Sequence, residues 1–397
     1  MRVIGTAERR ARLAARHRLL PRLRSDELPA VVDDLVGLHS SDPVTVYLSA
    51  AARLREPSLR VVSDALYRDR TLVRHHAMRR TLWVATPETV RVMHASSTRA
   101  LIQPERRRTL AMLVASGIVD AESWLAGARN LVLDDLEAYG PSTAREVGQR
   151  VPALTRRLAL PSGTQTDATQ SAHTRVLLNL GFAGEVLRGE PSGSWVNGAY
   201  RYAVSTQWLP GGLGDLDAEP AAAALAQAYL RRFGPVTTAD LQWWAGWTKT
   251  ATLRALADCG AVPVQLDAGR GWLAAGDDEA PEPEPWVAAL PSLDPTTMGW
   301  KERDWYLPAA AADAFDGNGN AGPTLWVDGR VVGAWAQDKD GRLLTHYFEP
   351  VPAARREELA DRLAQVAELV GGTRFSVRFP GRIQPRILAA AAGRTPR

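Results

Sequence analysis

Residues 35–43 read Leu-Val-Gly-Leu-His-Ser-Ser-Asp-Pro, and this stretch joins a helical pattern to an extended one. Apolar residues recur at helical spacing over 28–38, and Ser25 and Asp26 are candidate N-caps for that helix. Pro43 disfavours the α conformation at the residue before it, so we expect an extended chain after the helix.

The extended part of this stretch brings two polar side chains to one side. Side chains two residues apart on an extended chain share a side, so His39 and Ser41 lie opposite Ser40 and Asp42. An imidazole and a hydroxyl placed together could hold one water molecule. The alternative is that these side chains only satisfy the carbonyls at the end of the helix, which lack partners within it.

Length and composition are those of a globular chain with several domains. It has 397 residues, of which 45% are hydrophobic and 23% charged, which favours two to four domains. No stretch approaches the roughly 20 apolar residues of a membrane span, and the basic N-terminus lacks a secretion signal. We therefore expect a cytoplasmic protein. Cys259 is the only cysteine and the seven histidines are scattered, so we predict neither a metal site nor a cofactor.

Charge is unevenly distributed along the chain. Residues 1–110 contain 21 arginines, no lysine and 11 acidic residues, a net charge of +10, whereas the whole chain carries +4. This asymmetry indicates a nucleic-acid surface in the N-terminal part. The alternative is a solvated arginine-rich face in a chain that uses arginine for nearly every cation.

The first third has the element order of a winged helix. Helical patterns extend to residue 66, and two β-prone runs follow at 71–78 and 81–85. Arg79 and Arg80 lie between these runs, so the predicted wing is a basic hairpin.

This order recurs twice along the chain. Residues 139–146 and 233–240 each contain an aromatic-Gly-Pro turn followed by a threonine that can cap a helix, Thr143 and Thr237. We therefore predict an α+β protein with three tandem winged-helix units and a C-terminal β-containing subdomain. The predicted boundaries are 1–118, 119–215, 216–285 and 286–397.

Composition and turn signals divide the chain further. A polar loop is expected at 161–171 and an acidic, proline-rich linker at 277–285. In the last subdomain we predict a hairpin turning at Asp328-Gly329, an amphipathic helix over 353–370 and a final strand over 374–379.

Five motifs together resemble the AlkZ/YcaQ family of winged-helix DNA glycosylases over essentially the whole chain. They are LVGLHSSDP at 35–43, AMRRTLWVATPE at 77–88, FGPVTTADLQWWAGWT at 233–248, LPSLDPTTMGWKERDWYL at 290–307 and GPTLWVDGRVVGAW at 322–335. The resemblance implies a C-shaped fold with a basic channel. It also implies removal of alkylated purines, notably N7-substituted guanine and bulky natural-product adducts, from double-stranded DNA.

The chain departs from the family at the predicted catalytic positions. Family members carry Gln-x-Gln or Gln-x-Asp where this chain has His39-Ser40-Ser41. An N7-alkylated guanine is already cationic and leaves without protonation, so His39 and Ser41 need only orient or activate a water. Asp42 could stabilise a cationic His39 or the sugar cation if the backbone bends. We predict these three residues as the catalytic group.

DNA contacts are predicted for five further residues. Arg74, Arg79 and Arg80 belong to the basic hairpin, and Trp300 and Arg303 match the family's channel by resemblance. Two alternatives remain: the hairpin arginines pair with Asp64 and Asp69, and Arg303 pairs structurally with Asp304.

Three functions compete at this stage. The first is a monofunctional glycosylase acting as a monomer in DNA repair or antibiotic self-resistance. The second is a non-catalytic winged-helix regulator, and the third is a scaffold. Regulators usually dimerise on symmetric half-sites, and the sequence shows no heptad seam for a dimer.

Overall fold

The computed structural model describes residues 1–159 and 169–393, and its α+β class is the predicted one. Its helices are α1 (Thr6–Arg16), α2 (Leu28–Asp34), α3 (Pro43–Ala51), α4 (Leu59–Ser63), α5 (Pro87–Met93), α6 (Arg99–Ala115), α7 (Ala121–Tyr139), α8 (Ala144–Arg150), α9 (Ala172–Ala183), α10 (Ser205–Trp208), α11 (Ala218–Phe233), α12 (Thr238–Ala245), α13 (Lys249–Asp258), α14 (Pro295–Met298), α15 (Ala353–Val370) and α16 (Gln384–Ala391).

The strands are β1 (Val3–Ile4), β2 (Leu38–His39), β3 (Val73–His76), β4 (Leu82–Ala85), β5 (Ser142–Thr143), β6 (Arg157–Ala159), β7 (Thr169–Ser171), β8 (Val186–Pro191), β9 (Tyr200–Val204), β10 (Val262–Leu266), β11 (Gly269–Leu273), β12 (Val287–Leu290), β13 (Thr324–Val327), β14 (Arg330–Gln337) and β15 (Leu343–Tyr347). Short 3₁₀ turns lie at Pro21–Leu23, Met78–Arg80, Pro152–Leu154 and Ala309–Ala314, and π-helical turns at Asp64–Arg68 and His94–Thr98.

A six-stranded sheet, ordered β2-β4-β3-β8-β9-β5, positions the predicted catalytic stretch. It combines the predicted basic hairpin β3–β4 with a second antiparallel hairpin, β8–β9. The two hairpins meet at one register pair, Arg74 opposite Arg188. Strand β2, which contains His39, forms one edge of this sheet.

The predicted change from helix to strand takes place between α2 and β2. Val36 and Gly37 adopt positive φ angles of 47° and 90°, which turn the chain out of the helix. The start of the helix differs from the prediction, because Glu27 is its N-cap and neither Ser25 nor Asp26 caps it. The Ser25 hydroxyl instead accepts a bond from the Glu27 N–H at 3.1 Å, which forms a turn before the helix.

After β2 the chain enters α3 at once. Asp42 is extended (φ −107°, ψ 118°), as Pro43 requires, and its carboxylate caps the helix by accepting from the Val44 N–H. Residues 44–48, whose pattern fits a buried strand or a helix, are helical and buried.

The two repeated threonine motifs both form capping boxes. Thr143 exchanges bonds with Glu146 at the start of α8, and Thr237 does so with Asp240 at the start of α12. The predicted helix starts are confirmed. The division into winged-helix units at the predicted boundaries remains a prediction, as do the C shape and its channel.

The C-terminal part contains a four-stranded sheet, β12-β13-β14-β15, covered by α15. Its hairpin turns at Asp328-Gly329 as predicted. The predicted final strand over 374–379 is wrong. This segment bonds to side chains instead of a neighbouring strand: the Phe375 N–H donates to the Gln337 side chain and the Arg378 N–H to Asp42.

Segments that are far apart in sequence are joined by strand pairing and by one large core. Strand β1 pairs in parallel with β10, and one large core joins α11 and α12 to the β3–β4 hairpin and the segment after residue 286. The predicted acidic linker, 277–285, has neither helix nor strand. Of the predicted polar loop, residues 161–168 lie outside the described part, and Thr169–Ser171 pairs with β6. Within the described ranges, no helix is long and apolar enough to cross a membrane.

Candidate functional site

His39 lies near the edge of the six-stranded sheet and is buried against Trp83. The two residues are cross-strand partners with ring centroids 5.2 Å apart, and the imidazole is 4% exposed. The backbone N–H of Ser41 donates to Nδ1 of His39 at 3.4 Å. This bond assigns the acceptor role to Nδ1, so the ring proton of the neutral imidazole sits on Nε2.

The environment keeps His39 neutral. Burial, and then the charge of Arg79, lower the pKa of His39 to about 3. At neutral pH this ring is therefore a hydrogen-bond donor through Nε2 and a weak base.

Ser40 and Asp42 bond away from the His39 ring. The Ser40 hydroxyl accepts a bond from Arg74 Nε at 2.8 Å. The Asp42 carboxylate accepts from the N–H groups of Val44 and Arg378 at 3.2 and 3.0 Å, and burial raises its pKa. This use of both oxygens does not fit the predicted catalytic role of Asp42, which here is a helix cap. Among the described residues, the side chains of 39–41 bond none of the α2 carbonyls. The alternative in which these side chains satisfy the end of the helix is therefore wrong.

The turn of the basic hairpin is strained. Arg79 and Arg80 have φ angles of 55° and 64°, in the left-handed region that residues other than glycine rarely adopt. Such a conformation costs about 1–3 kcal/mol per residue and is retained mostly where the surroundings enforce it. Here Gly246, at the end of α12, packs against Arg79 so closely that a Cβ would lie 3.3 Å from the Arg79 nitrogen.

Arg79 and Arg303 share an aromatic partner that the sequence analysis did not assign. Their guanidinium carbons lie 4.0 and 5.2 Å from the ring centre of Trp243, a half-buried residue of α12. Burial and the nearby Arg303 lower the pKa of Arg79 to about 10, so Arg79 stays charged at neutral pH. The sequence held one signal for Trp243: with Trp244 and Trp247 on the same short segment, not all three can face the core. Trp244 is the buried one.

The other predicted DNA contacts lie in different environments. Arg80 pairs with the buried Glu105, which also binds Arg175. Asp64 and Asp69, the partners considered for the hairpin, pair with Arg68 instead. Arg303 donates to the carbonyls of Trp300 and Gly319, so the alternative of an Arg303–Asp304 pair does not describe its contacts.

Two predicted DNA contacts are inside the protein. Trp300 is 1% exposed and packs between aromatic rings of the core, including those of Phe233 and Trp305. The predicted contact of Trp300 with DNA does not fit this position. Arg74 is also 1% exposed, bonded to Ser40 and to the Tyr67 hydroxyl at 3.0 Å.

Two arginines of α1, and Arg22 after it, pair with acidic residues of the linker. Asp277 accepts from Arg12 at 2.9 Å and from Arg16 at 2.6 Å, and Glu284 pairs with Arg22. The charge asymmetry of the sequence therefore does not make α1 a free basic surface.

Other features of the described residues give no competing centre. No group of three metal-ligating side chains occurs in ranges 1–159 and 169–393. Cavities of about 780 and 760 Å³ open in the C-terminal part, one beside 337–340 and one beside 343–346, and neither is lined by His39 or by Arg79.

The comparison that decides the family is a sequence match. A family described as "DNA glycosylase AlkZ-like" matches residues 32–369, most of the chain. The chain belongs to this family. The match begins within α2 and contains His39, the basic hairpin and Trp243, whereas α1 lies outside it.

Structural comparison agrees with the AlkZ-like assignment. The DNA glycosylase AlkZ of Streptomyces sahachiroi superposes with a TM-score of 0.72 over 95% of this chain and 100% of its own. The two are 21% identical, so this likeness concerns the fold. A comparison with curated proteins gives no match.

Proposed function

We propose that this AlkZ-like chain is a monofunctional DNA glycosylase that hydrolyses the N-glycosidic bond of N7-alkylated guanine in double-stranded DNA. Bulky natural-product adducts are the proposed substrates, in DNA repair or antibiotic self-resistance, with one copy of the chain acting at each lesion. The observation that carries the proposal is a neutral imidazole, His39, beside Arg79, which stays charged and lies on Trp243.

A neutral His39 suits this reaction. The alkylated guanine carries its own positive charge and leaves as a neutral base, so the enzyme needs no proton donor for it. What remains is to place a water near the anomeric carbon. His39 donates from Nε2 to that water, and the Ser41 hydroxyl orients it. With a pKa of about 3, His39 is a poor proton acceptor at pH 7, so we assign it water positioning and not general-base catalysis.

The decisive experiment is single-turnover base release from a duplex with one N7-methylguanine, detected as abasic sites. His39→Ala should lower the rate about 10²-fold, the cost typical of a misplaced reactant, while DNA affinity stays nearly unchanged. The matched control is His346→Ala, because His346 is exposed on β15. Equal rates for wild type and His39→Ala on a substrate that the wild type cleaves would overturn this role.

The pH profile separates positioning from general-base catalysis. Because the pKa of His39 lies near 3, its ring stays neutral from pH 5 to 8 and its titration should leave the rate flat there. A general base of ordinary pKa would instead make the rate rise with pH up to about 6.5. Tight DNA binding without any abasic product from either N7-methylguanine or bulky-adduct duplexes would favour the non-catalytic regulator.

Hydrolysis should leave an intact abasic site. Lyase-type glycosylases need an amine that forms a Schiff base with the sugar, and the chain has only Lys249, Lys301 and Lys339. Lys301 is the nearest candidate by sequence, but its side chain is exposed, and its backbone N–H bonds Asp240. We expect no borohydride-trapped protein–DNA adduct. A trapped adduct that disappears in Lys301→Ala would show a lyase instead.

A further inference from the structure

The place where the two hairpins of the six-stranded sheet meet has an unusual composition. Arg74 of β3 and Arg188 of β8 are direct cross-strand partners, so their side chains leave the same face of the sheet. Both guanidinium groups lie near the ring of Tyr200, at 4.2 and 5.9 Å from its centre. Two cations are thus adjacent on one face.

In the described ranges, three buried polar groups of this cluster have no hydrogen-bond partner. Among the described residues, Arg74 Nη2, Arg188 Nε and the Tyr200 hydroxyl are buried and make no hydrogen bond. Leaving such groups unpaired costs about 1–3 kcal/mol each, more for charged ones. The known bonds of Arg74 go to two hydroxyls, those of Ser40 and Tyr67, and do not balance its charge.

In the described ranges, three of the four other buried arginines have carboxylate partners, and the fourth, Arg9, does not. Arg53 binds Asp294 at 2.8 Å and Arg175 binds Glu105 at 2.9 Å, both pairs being almost fully buried. In the described ranges, no carboxylate forms a salt bridge with Arg74 or with Arg188. The fold can therefore supply an anion to a buried arginine, yet leaves this pair without one.

We propose that Arg74, Arg188 and Tyr200 form a binding site for one phosphate of the DNA backbone, adjacent to the damaged nucleotide. This rests on the proposed function, in which the substrate is DNA. All three groups act as donors towards the ligand, and a phosphate offers only acceptors, which arginine binds with paired N–H groups. Arg188 is partly exposed and makes the outer contact, while Arg74 supplies the second charge beneath it.

The position of the site ties it to the reaction. Arg74 bonds the hydroxyl of Ser40. Ser40 directly follows His39, so the Cα atoms of Ser40 and His39 are about 3.8 Å apart. Arg74 and Leu38 both pair with Val84, whereas His39 pairs with Trp83, so His39 and Arg74 face opposite sides of the sheet. Our proposal therefore places the DNA strand across the β2 edge, with the sugar on the His39 side and the phosphate on the Arg74 side. Phosphate contacts fix position, so this contact sets where the anomeric carbon lies relative to the water.

The first test uses duplexes with a tetrahydrofuran abasic analogue, in which single phosphates around the analogue are replaced in turn by neutral methylphosphonates. For the wild type, one position should weaken binding about tenfold or more, the value of a charge-assisted contact. For Arg188→Met, the methylphosphonate at that position should weaken binding only slightly, because the variant already lacks the Arg188 contact with this phosphate. The control variant is Arg356→Met, an exposed arginine on α15. Equal costs at every position in wild type and Arg188→Met would overturn the proposal.

The second test removes one oxygen. Because the Tyr200 hydroxyl has no partner in the described protein, Tyr200→Phe should leave thermal stability unchanged or raised while it weakens binding of the same duplex several-fold. Tyr139→Phe, at an exposed tyrosine of α7, is the matched control. Unaltered affinity in Tyr200→Phe would contradict the assigned contact.

The two proposals fail separately. These measurements use DNA without a damaged base, so they report the phosphate contact even if no base is ever released. A carboxylate on the adduct, the other possible source of the anion, would leave the wild type and Arg188→Met equal on this duplex. If the protein releases the base but no phosphate position depends on Arg188, the phosphate site is ruled out and the glycosylase function stands.

Discussion

The arginines of α1 and those of the β3–β4 hairpin come from the same basic part of the chain but differ in what they contact. Arg12 and Arg16 face the carboxylate of Asp277 and are largely buried with it. Arg79 lies on Trp243 and, in the described residues, forms no salt bridge. Residues of one type and charge thus have two roles: Arg12 and Arg16 hold the linker, and Arg79 remains available to an anion.

The largest effect, on the free energy of unfolding, should come from removing the charge of Asp277 beside α1. Asp277→Asn removes a charge that two largely buried arginines share, which leaves Arg16 without a carboxylate and Arg12 with Glu8 alone. We expect a loss of about 3 kcal/mol in the free energy of unfolding, with DNA affinity unchanged. Urea denaturation followed by tryptophan fluorescence measures this, with Asp278→Asn on the exposed neighbour as control. A fall in DNA affinity without loss of stability would reverse our assignment of the two regions.

The next effect concerns the hairpin. Arg79→Met should weaken binding of double-stranded DNA about tenfold and lower the salt slope by about one, because one phosphate contact is lost. Arg16→Met should leave both quantities unchanged. Fluorescence anisotropy at several salt concentrations tests the pair of variants. If Arg16→Met lowered the slope and Arg79→Met did not, the charge count of the sequence would have located the DNA surface correctly.

The smallest effect is expected at the outer end of the linker. Arg22 and Glu284 form an ion pair with side chains 59% and 37% exposed, and such pairs contribute little. Arg22→Met should change the free energy of unfolding by less than about 0.5 kcal/mol and DNA affinity by less than about twofold. A larger loss of affinity would mean that the segment after α1 contacts DNA.

Local signals predicted local structure well in this chain. The change from helix to extended chain before Pro43, the threonine caps of α8 and α12, and the Asp328-Gly329 turn each depend on a few neighbouring residues, and all are in place. The helix itself ends at Asp34, earlier than the apolar pattern to Leu38 indicated. The false strand at 374–379 shows the limit of such signals. Its β-prone pattern is real, but whether a segment becomes a strand depends on a neighbouring strand, and here side chains take that place.

The candidate site was only partly visible in the sequence because its properties depend on distant contacts. The extended His39 segment was predicted, whereas the low pKa of His39 requires Arg79 and burial to be known. Likewise Trp300 and Trp243 look equally suited to a DNA channel in sequence. Their packing buries the first and leaves the second beside two arginines.

The pairing of β1 with β10 has a consequence for the order of events during synthesis. Val3 pairs with Gln265, and Asp277 reaches Arg12 and Arg16 from slightly farther along the chain. At about 5–20 residues per second, the ribosome takes roughly 10 to 50 s to go from β1 and α1 to Gln265 and Asp277. The residues of β1 and α1 are thus made well before Gln265 and Asp277, and for that time Arg12 and Arg16 lack the carboxylate of Asp277.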